Sequence, residues 1–139
     1  MDQTDERNLP STPLVARPSR AATLLLSFRY AFSGLWYLLS TQRNAQIHCI
    51  AAIAATALGF AFGITRTEWA VLVLTCALVL ATEGANTAIE AAVDLASPEF
   101  HVLAKTAKDV AAGTVLLAAI AAVIVGLIVL GPHVWAGLG

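Results

Sequence analysis

Glu83, Asn86, Glu90 and Asp94 lie at offsets of three, seven and eleven from the first of them, in a segment that begins inside an apolar run. On a helix turning about 100° per residue, these offsets place all four in one stripe roughly 80° wide. Glu83 is the revealing member. An ionisable side chain that continues an apolar span costs on the order of 2.5–3.5 kcal/mol near a bilayer centre, so a cavity, a partner or a function must offset it. One reading is a polar seam that glues subunits through carboxylates paired with Arg or Lys. The other is a site that binds cations and moves protons. Lys108 and Asp109, at the head of the next apolar run, favour the second. Hard divalent cations take carboxylate oxygens, and Mg²⁺ typically uses one or two of them together with substrate phosphates. A carboxylate in apolar surroundings makes a good general base. A nearby lysine can neutralise phosphate charge during transfer. These are the parts of a phosphoryl-transfer site, without a Walker-type loop.

The elements that must position these groups are apolar. Of the 139 residues, 58% are hydrophobic and 12% charged, against about 25% charged in an average soluble domain. A chain this short cannot hide so much apolar surface in one water-soluble core, so lipid covers part of it. The net charge of -1 argues against nucleic acid as a partner. Cys49 and Cys76 lie inside apolar runs, without zinc-type spacing, and read as small buried hydrophobes.

The pattern predicts an all-α integral membrane protein. Residues 1–20 hold three prolines and no apolar h-region, and read as a disordered cytoplasmic tail. Residues 21–40 are apolar but interrupted by Ser27, Arg29 and Ser33, with Phe28, Tyr30, Phe32, Trp36 and Tyr37 suited to the headgroup level. A surface-lying amphipathic helix is the reading, with a fourth span as the alternative. Spans are expected at about 45–64, 69–90 and 110–130, each near the thickness of a hydrocarbon core. Thr65 to Glu68 turns the chain, Asp94 to Asp109 forms a polar loop with Pro98 as a breaker, and Gly131-Pro132 stops the last span. Residues 132–139 then form a short external tail.

Basic residues set the orientation. Arg7, Arg17, Arg20, Arg29, Arg43, Lys105 and Lys108 fall on one side and Arg66 on the other, so the tail and the Asp94–Asp109 loop are expected in the cytoplasm. Small residues on the first and last spans allow close helix approach. Three thin helices cannot wall off a polar site alone, and a cyclic oligomer is the simplest solution. His48 is expected to be a hydrogen-bonded interface residue rather than a ligand, His133 to be incidental and Lys105 to be solvated or in contact with headgroups.

The run from Glu83 to Asp94 resembles the signature of the small prokaryotic diacylglycerol kinase family, E-x-x-N-S/T-A-I-E-x-x-V-D. Ser97 to His101 and Ala107 to Asp109 are similar to the S-P-E-F/Y-H and A-K-D that follow it in that family. Arg43-Asn44 and Thr65 to Trp69 resemble the Gram-positive-type branch, which includes undecaprenol kinases. The likeness covers roughly Ser27 to Leu130.

The resemblance implies a homotrimer of three-span subunits in the bacterial plasma (inner) membrane, with an N-terminal surface helix and cytoplasmic active sites between subunits. The implied enzyme is an ATP-dependent kinase that phosphorylates the hydroxyl of a membrane lipid alcohol, undecaprenol or diacylglycerol, with Mg²⁺. Glu83 matches the general base, Asn86 the neighbouring asparagine and Glu90 the magnesium-binding glutamate. Tyr30, Asn86, Glu90, Glu99, Phe100, His101, Lys108 and Asp109 match the nucleotide contacts, and Asp94 and Asn44 border the site. This chain departs from the family at Gln42, where a second metal-binding glutamate is common; an amide oxygen can accept a metal but lacks the charge. Gln46 replaces a common arginine, and Arg20 is the weak counterpart of a basic nucleotide contact. The alternative class is a non-enzymatic membrane subunit that uses the acidic seam for assembly or ion conduction.

Overall fold

A computed structural model describes residues 20–138, so the tail expected at residues 1–20 lies outside the described residues except for Arg20, which begins a helix. The described residues form four helices joined by short turns: α1 (Arg20–Thr41), α2 (Arg43–Phe62), α3 (Arg66–Ala96) and α4 (Val102–Leu138). Three of these helices, α2, α3 and α4, are long and apolar enough to cross a membrane. At about 1.5 Å per residue α3 reaches roughly 46 Å and α4 roughly 55 Å, so both exceed a hydrocarbon core of about 30 Å.

The part of α1 up to Phe32 belongs to a separate unit from the rest. Its side chains from Thr23 onward are exposed, and Ser27 Oγ donates to the Thr23 carbonyl at 3.0 Å. The unit from Ser33 onward carries the helix packing. There α3 and α4 form the main pair and α2 leans on both. Its apolar cluster joins Ile64, Leu72, Val129 and Leu130, with Trp69 and Phe62 against it. The cluster therefore lies at the α2–α3 turn, remote in sequence from the acidic end of α3.

That turn is tight for identifiable reasons. Gly63 ends α2 at φ 62, a left-handed conformation that glycine adopts without a Cβ clash. Its N–H donates to the Phe60 carbonyl at 3.3 Å, and Ile64 N–H donates to Gly59 at 3.2 Å, the pair of bonds that closes a helix C-terminus. Gly59 permits a close approach, since a Cβ there would meet Trp69 Cη2 at 2.9 Å. Thr65 caps α3: Glu68 N–H donates to Thr65 Oγ1, and Thr65 N–H donates to Glu68 Oε2 at 2.7 Å.

Four boundaries differ from the sequence expectation. Arg66 to Glu68 is not turn but the first turn of α3, because the capping box starts the helix at Thr65. The span expected to end at 90 continues as helix to Ala96, which makes Asp94 helical. The polar loop reduces to Ser97–His101, and α4 begins at Val102, eight residues before Val110. Polarity alone does not end a helix, whereas Pro98 does. Finally, Gly131-Pro132 does not stop α4, which runs through Pro132 to Leu138, so residues 132–138 are helix rather than a tail. Proline removes one backbone bond, but the turn beyond it is held by tertiary contacts. His133 Nε2 lies 3.0 Å from Glu68 Oε1, and its ring stacks on Phe62.

Candidate functional site

The acidic stripe on α3 runs through a gradient of burial. Glu83 is 2% exposed and Asn86 8%, Glu90 is half-buried and Asp94 is exposed. Over the eleven residues from Glu83 to Asp94 the helix rises about 16 Å. The stripe thus passes from the helix packing out to the helix end.

Glu83, Asn86 and Glu90 line one cavity of about 270 Å³. Asn44 and His48 of α2, one helical turn apart, form a second wall, and Ala112, Val115 and Ala119 of α4 a third. Asn86 Nδ2 donates to Glu90 Oε1 at 3.1 Å, which orients that carboxylate. Two buried oxygens here, Glu83 Oε2 and Asn86 Oδ1, have no hydrogen-bond partner among the described residues. Buried polar atoms are almost always satisfied, and leaving one unpaired costs about 1–3 kcal/mol, more for a charged group. Two such atoms in one cavity mark the place where a polar ligand is expected. Thr87 Oγ1 donates back to the Glu83 carbonyl at 3.0 Å, a bond internal to the helix.

A second cavity of about 460 Å³ lies around the α3–α4 loop. It brings together Asp94, Glu99, Phe100, His101, Lys108 and Asp109. Lys108 Nζ donates to Asp94 Oδ1 at 2.9 Å and Oδ2 at 3.1 Å, bridging α3 and α4. Lys105 is solvated, as expected, and also pairs with Asp109 one turn along α4. Both pairs are exposed. Such pairs contribute little and exchange readily, so either lysine can turn to a phosphate. His101 has a structural task as well: its Nδ1 accepts from Leu103 N–H at 3.2 Å at the start of α4.

The residues singled out in the sequence therefore divide. Glu83, Asn86, Glu90 and Asn44 share one cavity, and the loop residues share the other. Gln42 lines neither; its side-chain amide donates to Thr41 Oγ1 at 3.2 Å. Tyr30 is an exposed residue of α1. The side chain of Arg20 lies outside the described residues.

Two expectations on histidine are corrected. His48 makes no hydrogen bond among the described residues and lines the Glu83 cavity. Its spacing of four from Asn44 was the available signal. His133 is not incidental, as its contact with Glu68 shows. Cys49 and Cys76 are free thiols, half-buried rather than buried.

Among the described residues, no group of three His, Cys, Asp or Glu side chains is placed to hold a metal alone. Glu90, oriented by Asn86, still fits an ion that takes one or two carboxylates and completes its shell with phosphate oxygens.

Three helices long and apolar enough to cross a membrane, packed around a buried carboxylate, are the architecture of a membrane protein. Residues 29–130 match the prokaryotic diacylglycerol kinase family, and the chain belongs to that family. It is similar to the diacylglycerol kinase of Synechocystis sp., with 50% identity over 107 residues, 76% of this chain and 61% of that protein. It is also similar to the undecaprenol kinase of Bacillus subtilis, with 41% identity over 106 residues, 76% of this chain and 86% of that protein. The diacylglycerol kinase of Escherichia coli is 31% identical over 104 residues, 75% of this chain and 85% of that protein. The chain thus spans less than two thirds of the Synechocystis relative and most of the other two.

Proposed function

We propose that this protein is an ATP-dependent lipid kinase that transfers the γ-phosphate of MgATP to the hydroxyl of a membrane lipid alcohol. The observation that carries the proposal is Glu83, a carboxylate 2% exposed whose Oε2 has no hydrogen-bond partner among the described residues. A hydroxyl is the group that such an oxygen can both hold and deprotonate. The names of the relatives supply the reaction class, and they cover both diacylglycerol and undecaprenol.

In this reading the alcohol donates its proton to Glu83. The alcohol oxygen forms the new bond to the γ-phosphorus while the bond from that phosphorus to the leaving ADP oxygen breaks. No covalent enzyme intermediate is needed. Asn86 positions Glu90, and its free Oδ1 accepts from the lipid or nucleotide. Glu90 would hold Mg²⁺, which when bound would supply charge neutralisation to the phosphates. Lys108 leaves Asp94 to meet the phosphates, with Glu99, Phe100, His101 and Asp109 bordering the nucleotide. Tyr30 contributes to the nucleotide side. Gln42 supplies at most a neutral second-metal contact.

The assembly is a homotrimer in the bacterial inner membrane, with the site at the cytoplasmic interface, where ATP arrives from water and the lipid from the bilayer. Residues 21–40 lie on the membrane surface, and the catalytic domain covers residues 21–131. Support comes from the one-sided distribution of basic residues, and from the many large apolar side chains on α2 and α4 that need lipid or another subunit to cover them.

The deciding experiment assays purified protein with MgATP and each lipid alcohol, beside Glu83→Gln. Wild-type turnover and its loss by at least a hundredfold in the variant, with the oligomer intact, is the expected result. Loss of assembly together with activity would instead favour an acidic seam that holds subunits together.

A further inference from the structure

The cavity around Glu83 has a neighbour on the far side of His48. A second, apolar cavity of about 280 Å³ shares His48 of α2 and Ala119 of α4 with it. From those two residues the acidic cavity extends toward Asn44, Glu90 and Ala112, and the apolar one toward Ala55, Leu72 and Gly126. The sense is the same on all three helices, so the two spaces lie in series along the bundle. Beyond the apolar one is the packed cluster at the α2–α3 turn, to which Leu72 also belongs.

The chemistry of the walls changes at His48. In the apolar cavity the hydrogen-bonding side chains are His48, Thr75 and the weakly polar Cys76; the remaining walls are alanine, glycine, valine and leucine. Thr75 Oγ1 is already committed to the Val71 carbonyl at 2.8 Å. Small residues alone would mark only a place where helices approach. Here the space shares His48 and Ala119, at its polar end, with the cavity of a buried carboxylate oxygen that has no partner among the described residues, and that oxygen is the independent sign of a ligand.

We infer that the apolar cavity holds the first carbons of a single hydrocarbon chain whose terminal hydroxyl lies at Glu83, so that the substrate is a single-chain alcohol of the polyprenol type rather than a two-chain diacylglycerol. This inference rests on the kinase reading above and narrows its substrate. Size is the first reason. An apolar cavity of about 150 Å³ takes one benzene, so this space, which is open along one side, accommodates on the order of ten carbons between its helices, enough for one chain. Polarity is the second. A diacylglycerol carries an ester on the carbon next to its free hydroxymethyl group and another one carbon further on. Both ester groups would enter walls where His48 is the one uncommitted strong hydrogen-bonding side chain, and buried polar groups without partners are disfavoured. A polyprenol has only hydrocarbon at those positions.

Cys76 provides a reporter that does not depend on turnover, because its thiol lines the cavity. Full-length protein with Cys49→Ala is treated in detergent micelles with a small methanethiosulfonate reagent, alone, with a long polyprenol and with dioleoylglycerol. The expected result is at least fivefold slower labelling of Cys76 with the polyprenol and no slowing with the diacylglycerol. Ala55→Phe and Ala122→Phe, which fill the cavity from opposite walls, are each expected to raise KM for the polyprenol at least tenfold, with kcat changing less than threefold.

Equal protection by both lipids, or by neither, overturns the inference. So does slow labelling of the lipid-free oligomer, which would mean that a second copy of the chain fills the cavity. If the polyprenol protects Cys76 while neither lipid is phosphorylated, the kinase reading falls and the cavity stands as a chain-binding site. If the protein phosphorylates both lipids and filling the cavity changes neither KM, the kinase stands and the chain lies elsewhere.

Discussion

Asn86 donates its side-chain amide to Glu90 Oε1 at 3.1 Å while its own carbonyl oxygen is buried and has no partner among the described residues. One residue thus fixes the carboxylate on its outer side and offers an acceptor into the cavity. The bond spans a single helical turn, and for that reason the i, i+4 spacing of Asn86 and Glu90 matters more than either residue alone.

Replacing Asn86 with alanine removes both functions. A hydrogen bond to a charged group contributes about 1.5–3 kcal/mol, so Asn86→Ala is expected to lower kcat/KM by at least tenfold and to raise the Mg²⁺ concentration needed for half-maximal turnover. A magnesium titration at saturating ATP checks both.

The Asp94–Lys108 pair separates stability from catalysis. Both side chains are exposed, and an exposed pair adds little to stability. Lys108→Met is therefore expected to leave the melting temperature in detergent unchanged and to raise KM for MgATP at least tenfold. Asp94→Asn frees the lysine, and its effect on KM is expected to be smaller. Steady-state kinetics beside thermal unfolding distinguishes the two.

At the opposite end, His133 joins the last turns of α4 to the capping box of α3 through Glu68. His133→Ala is expected to lower the melting temperature by a few degrees without changing KM for either substrate. Glu68→Gln, which weakens the capping box as well, is expected to lower it further.

The α2–α3 turn depends on two glycines for different reasons. Gly59→Ala forces a contact on Trp69 and is expected to cost about 1–3 kcal/mol, the range for overpacking. Gly63→Ala meets open space, yet must hold a left-handed backbone at a cost of about 1–2 kcal/mol. A compensating Trp69→Leu is expected to rescue the first and not the second, as read by thermal unfolding.

Much of this protein was legible before its fold. Three apolar runs of bilayer length identify three membrane-length helices, because lipid demands continuous hydrophobicity along a self-satisfied backbone. The spacing of Glu83, Asn86 and Glu90 on one face follows from helical periodicity, and the structure places all three in one cavity. Helix ends were less legible. Hydropathy reports where apolar character stops, not where backbone bonding stops, so α3 and α4 outran their apolar segments at Ala96 and Val102.

The sequence by itself determined the membrane class, the helical stripe and the family, since all three depend on residue types at local spacing. Only the tertiary structure decided which groups meet across helices. It put His48 and Asn44 opposite Glu83, gave Lys108 to Asp94 and His133 to Glu68, left Gln42 outside the cavity and opened an apolar space behind His48. Those relations depend on how three helices turn toward one another. That rotation is set by the summed packing of many small side chains, and no single segment of the chain encodes it.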